Sequence, residues 1–183
     1  TVVNGPGAPT DPKLSEADLR SRYRLTAPPE NTVLLTFGGL GLATMPYDAL
    51  ADFPDWQFVT FDRSAPELPN LRVVRDRNLR PVDVMPACGL VMSKPGYSTF
   101  SEACRLDRGI ITLPRDDFAE AQLLLDGIRA HAWHRVVDPQ AFFAGDWSFL
   151  RSPLLEPATP DQLPKDGNGE IAGEIAAMLD ASA

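Results

Sequence analysis

Gly89-Leu-Val-Met-Ser-Lys-Pro-Gly-Tyr-Ser-Thr-Phe-Ser-Glu-Ala103 is the stretch from which the rest of the chain is read. Leu90, Val91 and Met92 form a short apolar run of the buried-strand type. Pro95-Gly96 is a turn signal, and Ser98 or Thr99 can cap a helix running through Cys104 and Leu106. Strand, turn and helix in this order aim backbone N–H groups and two hydroxyls at one spot, where the helix dipole also favours negative charge. Such a spot suits phosphate. Glu102 lies one helical turn after Ser98 on the same face, so its carboxylate can accept hydrogen bonds from hydroxyls attached to a phosphate at the cap. A ribose diphosphate has that shape. The same residues also read as a plain N-cap followed by a capping box.

Upstream, residues 31–37 (Asn-Thr-Val-Leu-Leu-Thr-Phe) read as a fully buried strand, followed by Gly38-Gly39-Leu40-Gly41 and a helix expected from Thr44 to Ala51. Glycines let a backbone approach a ligand closely, so this is a second phosphate-friendly unit. It departs from the dinucleotide fingerprint: no third glycine follows in place, and no acidic residue is clearly set for an NAD ribose. Standing alone, it reads more readily as a plain tight turn.

Strands are further expected at Trp56–Phe61, Leu71–Val74 and Gly109–Leu113, with an edge strand at Arg135–Val137. Helices are expected at Ser15–Tyr23, Pro81–Ala87, Ala119–Ala132 and Gly169–Ala181, the last with Ile171, Ile175, Met178 and Leu179 on one stripe. An amphipathic piece spans Pro139–Phe143, followed by Trp147 and Phe149 in a loop. Alternating strands and helices predict an α/β, Rossmann-like three-layer domain with a mostly parallel sheet. The turns at Gly38–Gly41, Lys94–Thr99 and Arg115–Glu120 then converge on one edge. Arg115 and Asp117 also read as a surface ion pair and helix cap.

With 183 residues the chain fits one domain plus tails, and not a two-domain enzyme. Residues 1–30, rich in Pro, Gly and small polar residues, read as a linker or lead-in, and 31–183 as the domain. A net charge of −8 without a basic stretch argues against a nucleic-acid surface. No apolar run approaches the roughly 20 residues a bilayer requires, and the N-terminus lacks the pattern of a signal peptide, so the expectation is a soluble, cytoplasmic chain. Cys88 and Cys104 suggest buried thiols rather than a disulfide framework, and His131 and His134 ordinary helix-end histidines rather than a zinc pair. Asp116-Asp117 is adjacent rather than alternating, which speaks against a metal site.

Ser93-Lys-Pro-Gly-Tyr-Ser-Thr-Phe-Ser-Glu102 resembles the donor-binding motif of GT-B glycosyltransferases, in particular the C-terminal domain of family 28, the group of the peptidoglycan N-acetylglucosaminyltransferase. In related nucleotide-sugar transferases a His-Cys-Gly-Trp-Asn-Ser-x-x-Glu stretch occupies this place. Lys94 matches the His, Gly96 the Gly, Ser98 and Thr99 the Asn and Ser, and Glu102 the Glu. The resemblance extends from about Val33 to Arg129. It implies a donor diphosphate held by Gly38, Gly39, Gly41, Lys94, Gly96, Ser98 and Thr99, and ribose hydroxyls held by Glu102. The donor sugar would meet Asp117 and Glu120, although Ala121 stands where such enzymes carry a Gln. The charged loop Arg75–Arg80 would pack near the nucleobase, with no single residue assigned.

What the resemblance implies for function is a donor-binding half of a hexosyltransferase, taking a nucleoside-diphosphate sugar, UDP foremost, without a metal or other cofactor. The catalytic base and acceptor would come from an N-terminal domain outside this chain, leaving it nearly inactive alone. Two alternatives share these residues. One is half of a nucleotide-sugar 2-epimerase; the other is a non-catalytic nucleotide-sugar sensing module, since a similar Lys-Pro-Gly-Tyr-x-Thr-x-Ser-Glu pattern occurs in a domain fused ahead of sugar kinases.

Overall fold

The computed structural model describes residues 11–37, 45–115, 118–159, 163 and 165–181. Six short strands build one sheet: β1 (Thr32–Leu35), β2 (Gln57–Thr60), β3 (Leu71–Val73), β4 (Leu90–Ser93), β5 (Gly109–Thr112) and β6 (His134–Val136). Their spatial order is β3-β2-β1-β4-β5-β6, and every strand pair is parallel. This is the doubly wound order, in which the direction of winding reverses between β1 and β4. All four residues of β1, β2 and β5 are buried, as strands covered on both faces require.

Because successive side chains alternate across a strand, the sheet divides the core in two. Leu34, Val59, Val91 and Ile110 face helices α1 (Glu16–Tyr23), α2 (Pro81–Val84), α3 (Tyr97–Arg105) and α4 (Ala121–His131), meeting Leu19, Val82, Phe100 and Ile128. Val33, Leu35, Phe58, Met92 and Ile111 face the other side, against Leu50, Phe53 and α5 (Pro139–Phe143). There Trp147 is almost fully buried, stacks on Phe142 at 5.2 Å and meets Phe58 edge-on at 6.1 Å. Its Nε1–H donates to the Phe142 carbonyl at 3.1 Å, satisfying the one polar atom this ring brings inside.

The stretch expected as a lead-in carries the anticipated helix, α1, capped by Ser15, and that helix is packed: Leu19 is fully buried. Buried Gln57 ties the chain after it to the sheet, its Oε1 accepting from the backbone of Thr26 at 2.6 Å and Ala27 at 2.8 Å. The helix expected from Thr44 to Ala51 is, within the described residues, a 3₁₀ segment at Tyr47–Asp52. Pro46 and Pro54 bracket it and leave no room for an α-helical ladder. His134 lies on β6 and is buried rather than sitting at a helix end. The edge of β6 is closed by an antiparallel bridge to Leu155. The last helix, α6 (Gly167–Asp180), leaves Ile175, Met178 and Leu179 exposed.

Gly89 marks where the lead-in meets the sheet. Its N–H donates to the Pro29 carbonyl at 2.7 Å, and a Cβ there would lie 2.5 Å from that same oxygen. Gly89→Ala should therefore destabilise the protein by about 1–3 kcal/mol through overpacking. The check is a lower denaturant midpoint at unchanged slope.

Candidate functional site

At the switch point, β1 and β4 run side by side and their following loops leave the same edge of the sheet, where α/β domains bind ligands. β5 lies beside β4 in register, Ser93 opposite Thr112, so the loop after it leaves that edge as well. The described residues thus bring two of the three anticipated turns together. Gly38, Gly39 and Gly41 lie outside the described residues, as does Asp117 of the third turn.

After β4, Pro95 is buried and Gly96 forms the N-cap of α3 in extended backbone (φ −163°, ψ 130°). Ser98 and Thr99 are therefore not the cap, as expected, but the second and third residues of the helix. Gly96 has no side chain with which to cap α3, and no described side chain takes its place. Its first turn closes through Phe100 N–H to Gly96 O at 3.0 Å, and the N–H groups of Tyr97, Ser98 and Thr99 have no carbonyl of the helix to reach. Ser98 is exposed, while Thr99 and Lys94 are partly buried. Among the described residues a Cβ on Gly96 would meet a single atom, the Lys94 carbonyl oxygen at 3.9 Å. Those residues do not demand a glycine here, and its absent side chain leaves their side of the helix tip uncrowded.

Ser93, for which no role was expected, ends β4 on the α3 side of the sheet. It is 1% exposed, and its Oγ has no hydrogen-bond partner among the described residues. A hydroxyl closing an otherwise apolar run is the signal that could have marked it, because an unsatisfied buried hydroxyl costs free energy unless something donates or accepts there.

One turn along α3, Glu102 is partly buried, and no described residue donates to its carboxylate. Burial pushes its carboxyl above the ordinary range; the Arg80 charge opposes that shift and the Asp83 charge reinforces it. Glu102 is thus within electrostatic reach of Arg80 and Asp83 at the start of α2.

Arg80 was expected in a charged loop near the nucleobase, with no single residue assigned, and Asp83 in the short helix that follows. Asp83 is fully buried. Its Oδ2 accepts from the backbone N–H of Arg80 at 2.8 Å and from Arg80 Nε at 3.0 Å; its Oδ1 accepts from Arg80 Nη2 at 2.7 Å and from the backbone N–H of Lys13 at 3.0 Å. Burial alone would raise this carboxyl, but the guanidinium and the two N–H groups outweigh it and hold the carboxyl at about 2.

At the third turn, Arg115 lies over the Phe118 ring at 4.9 Å, and Glu120 is exposed at the N-cap of α4 without a capping bond. An acid does follow the end of β2, where a dinucleotide fold would use one: Asp62. Its carboxylate is already engaged by Tyr47 OH at 2.8 Å and by Ser64 N–H and Oγ at 2.9 and 2.6 Å.

Two concavities are lined by described residues. An apolar groove of about 160 Å³ runs between α3 and α4, lined by Phe100, Cys104, Leu124 and Ile128 and reaching Tyr97 at the start of α3, with no Lys or Arg in its lining to hold an anion. A wider cleft of about 690 Å³ sits at the N-terminal ends of β2 and β3, beside Trp56, Gln57 and Arg72. Among the described residues no group of three His, Cys, Asp or Glu could hold a metal ion, and no helix is long and apolar enough to cross a membrane.

No family model matches the chain, and no curated protein matches it in sequence. Solved structures resemble it in fold. The spinosyn forosaminyltransferase SpnP is similar over 92% of this chain and 48% of its own, at a TM-score of 0.50 and 19% identity. The glycosyltransferase SnogD from Streptomyces nogalater is similar over 81% of this chain and 43% of its own, at 0.49 and 16%. The glycotransferase of kitacinnamycin is similar over 70% and 37%, at 0.48 and 21%. The chain thus spans less than half the length of each. The fold is that of a GT-B-like half-domain, without singling out family 28.

The buried carboxylate beside the site makes a prediction about stability. Asp83→Asn should cost about 1.5–3 kcal/mol at neutral pH, the worth of hydrogen bonds to a charged group. A carboxyl with a depressed folded-state pKa contributes stability above its unfolded value and loses it as pH falls through the folded one. The gap between variant and parent should therefore close as pH drops from the ordinary 3.8 toward about 2. Denaturant titrations at stepped pH read this directly, and a gap constant across that interval would remove the assigned role of Asp83.

Proposed function

We propose that this domain binds a nucleoside-diphosphate sugar, UDP being the expected nucleotide, as the donor half of a GT-B glycosyltransferase. The observation that carries the proposal is the first turn of α3, which no described side chain caps, with the carboxylate of Glu102, to which no described residue donates, one turn further on. A diphosphate at the helix tip would take the N–H groups of Tyr97, Ser98 and Thr99, the hydroxyls of Ser98 and Thr99, and the charge of Lys94. Glu102 would accept from the ribose hydroxyls. Gly38, Gly39 and Gly41 would complete the diphosphate cradle, and Asp117 and Glu120 would meet the sugar.

In transfer, the bond from the sugar's anomeric carbon to the diphosphate oxygen breaks and its electron pair stays on that oxygen. The acceptor oxygen forms the new bond and gives its proton to a base. Charge thus grows on the leaving diphosphate, and the groups at the α3 tip stabilise it without a metal ion in the scheme. Base and acceptor site would belong to the partner half, so the chain alone should bind donor and transfer little.

A thermal-shift panel of UDP, GDP, dTDP and ADP tests the proposal, since a ligand that binds the folded state raises its apparent stability. UDP should give the largest shift. Glu102→Ala should weaken UDP binding by about 1–3 kcal/mol if two ribose hydrogen bonds are lost. A flat panel, or calorimetry giving Glu102→Ala the parent's UDP affinity, would defeat the assignment.

A further inference from the structure

Arg80 is held more rigidly than neutralising Asp83 requires. Its Nε and Nη2 are both spent on the buried carboxylate, at 3.0 and 2.7 Å, and Nη2 donates further to the Asp11 carbonyl at 3.2 Å. The third nitrogen, Nη1, has no partner among the described residues, and the side chain stays 38% exposed although the carboxylate that clamps it is wholly buried. A planar fork gripped on one edge presents its other donors in a fixed direction, with little side-chain entropy left to lose on binding.

The position of that donor narrows what it can meet. Arg80 immediately precedes α2, and α2 packs against α3. Across that contact Arg80 lies close enough to Glu102 for each charge to act on the other. Glu102 is one helical turn, about 5.4 Å along the axis, from the tip where the diphosphate would sit. Arg80 therefore stands with the ribose end of the site.

We propose that Arg80 is a specificity-determining residue of this site, its Nη1 donating to an acceptor oxygen on the nucleoside half of the nucleotide while Asp83 holds the guanidinium in place. The proposal rests on the donor-site assignment above. A carbonyl oxygen of the base or an oxygen of the ribose fits a guanidinium N–H.

Arg80→Lys is the discriminating variant. An ammonium keeps a cation against Asp83, but as a single point charge it cannot grip that carboxylate and also reach the ligand. Calorimetric titration of the full chain with UDP and with inorganic pyrophosphate should show UDP bound about tenfold or more weakly and pyrophosphate unchanged. Unchanged UDP affinity overturns the proposal. So does an equal loss for pyrophosphate, which would place Arg80 in the diphosphate grip instead. Where pyrophosphate binds the parent too weakly to titrate, uridine replaces it, and unchanged uridine binding overturns the proposal in the same way. If Arg80→Lys does not fold, Arg80→Gln combined with Asp83→Asn removes both charges together and leaves neither orphaned; the same outcomes apply. A parent chain that binds no UDP sinks the donor-site assignment itself. A parent that binds UDP and responds to Glu102→Ala but not to Arg80→Lys sinks only the role of Arg80.

Discussion

A carboxylate taken out of water is costly unless its oxygens are fully engaged, and Asp83 meets that condition with four donors from two distant segments of the chain. One donor comes from Lys13, ahead of the first helix, and three from Arg80, just before α2. The segment that read as a tail is thereby fastened to the loop that borders the candidate site. The Pro29 carbonyl does the same at the foot of β4 through Gly89. Position of the site and packing of the lead-in are in this way one problem, because the group that aims Arg80 is also the group that receives Lys13.

The sheet supplies the rest of the placement. With every strand parallel and the winding reversing between β1 and β4, this edge of the sheet is the switch point at which α/β domains bind ligands. α3 starts at that edge, following β4. The helix begins one residue after buried Pro95, with Gly96 as its N-cap, so only a short turn separates its first N–H groups from the end of β4. Ser93 lies just beneath, and its unpartnered Oγ is the kind of group that a ligand or an ordered water would satisfy.

Much of this was legible in the residues. Buried parallel strands are continuous apolar runs, so Thr32–Leu35, Gln57–Thr60 and Gly109–Thr112 stood out, and the Pro-Gly turn after Met92 announced the helix. The failures have local causes. Hydroxyl residues are the commonest N-caps, which drew the start of α3 to Ser98 or Thr99, whereas the chain turns helical as soon as it clears Pro95 and Gly96. An i, i+3 Arg–Asp pair in a polar loop looks solvated. Only the arrival of Lys13, remote in sequence, buries Asp83, and no window of neighbouring residues contains that information. The period of α6 was readable, but a periodic stripe says that one face is apolar and not what covers it.

An overall charge of −8 does not conflict with an anion at the α3 tip. Exposed charges farther than about 8 Å from a bound anion are largely screened at physiological salt, and Glu16, Asp18, Glu170 and Glu174 are exposed to that screening. The grip would come from N–H groups and hydroxyls in direct contact with the ligand, which screening by salt hardly weakens. Net charge would act instead on approach, slowing the encounter with a diphosphate rather than loosening the complex. The cations that could offset this, Arg63, Arg75, Arg77, Arg80 and Lys94, sit in loops that follow the C-terminal ends of β2, β3 and β4. Of these, Arg80 is already paired with Asp83, and Asp62 and Asp76 stand in the same loops, so the cations there offset only part of the repulsion and direct contact has to supply the grip.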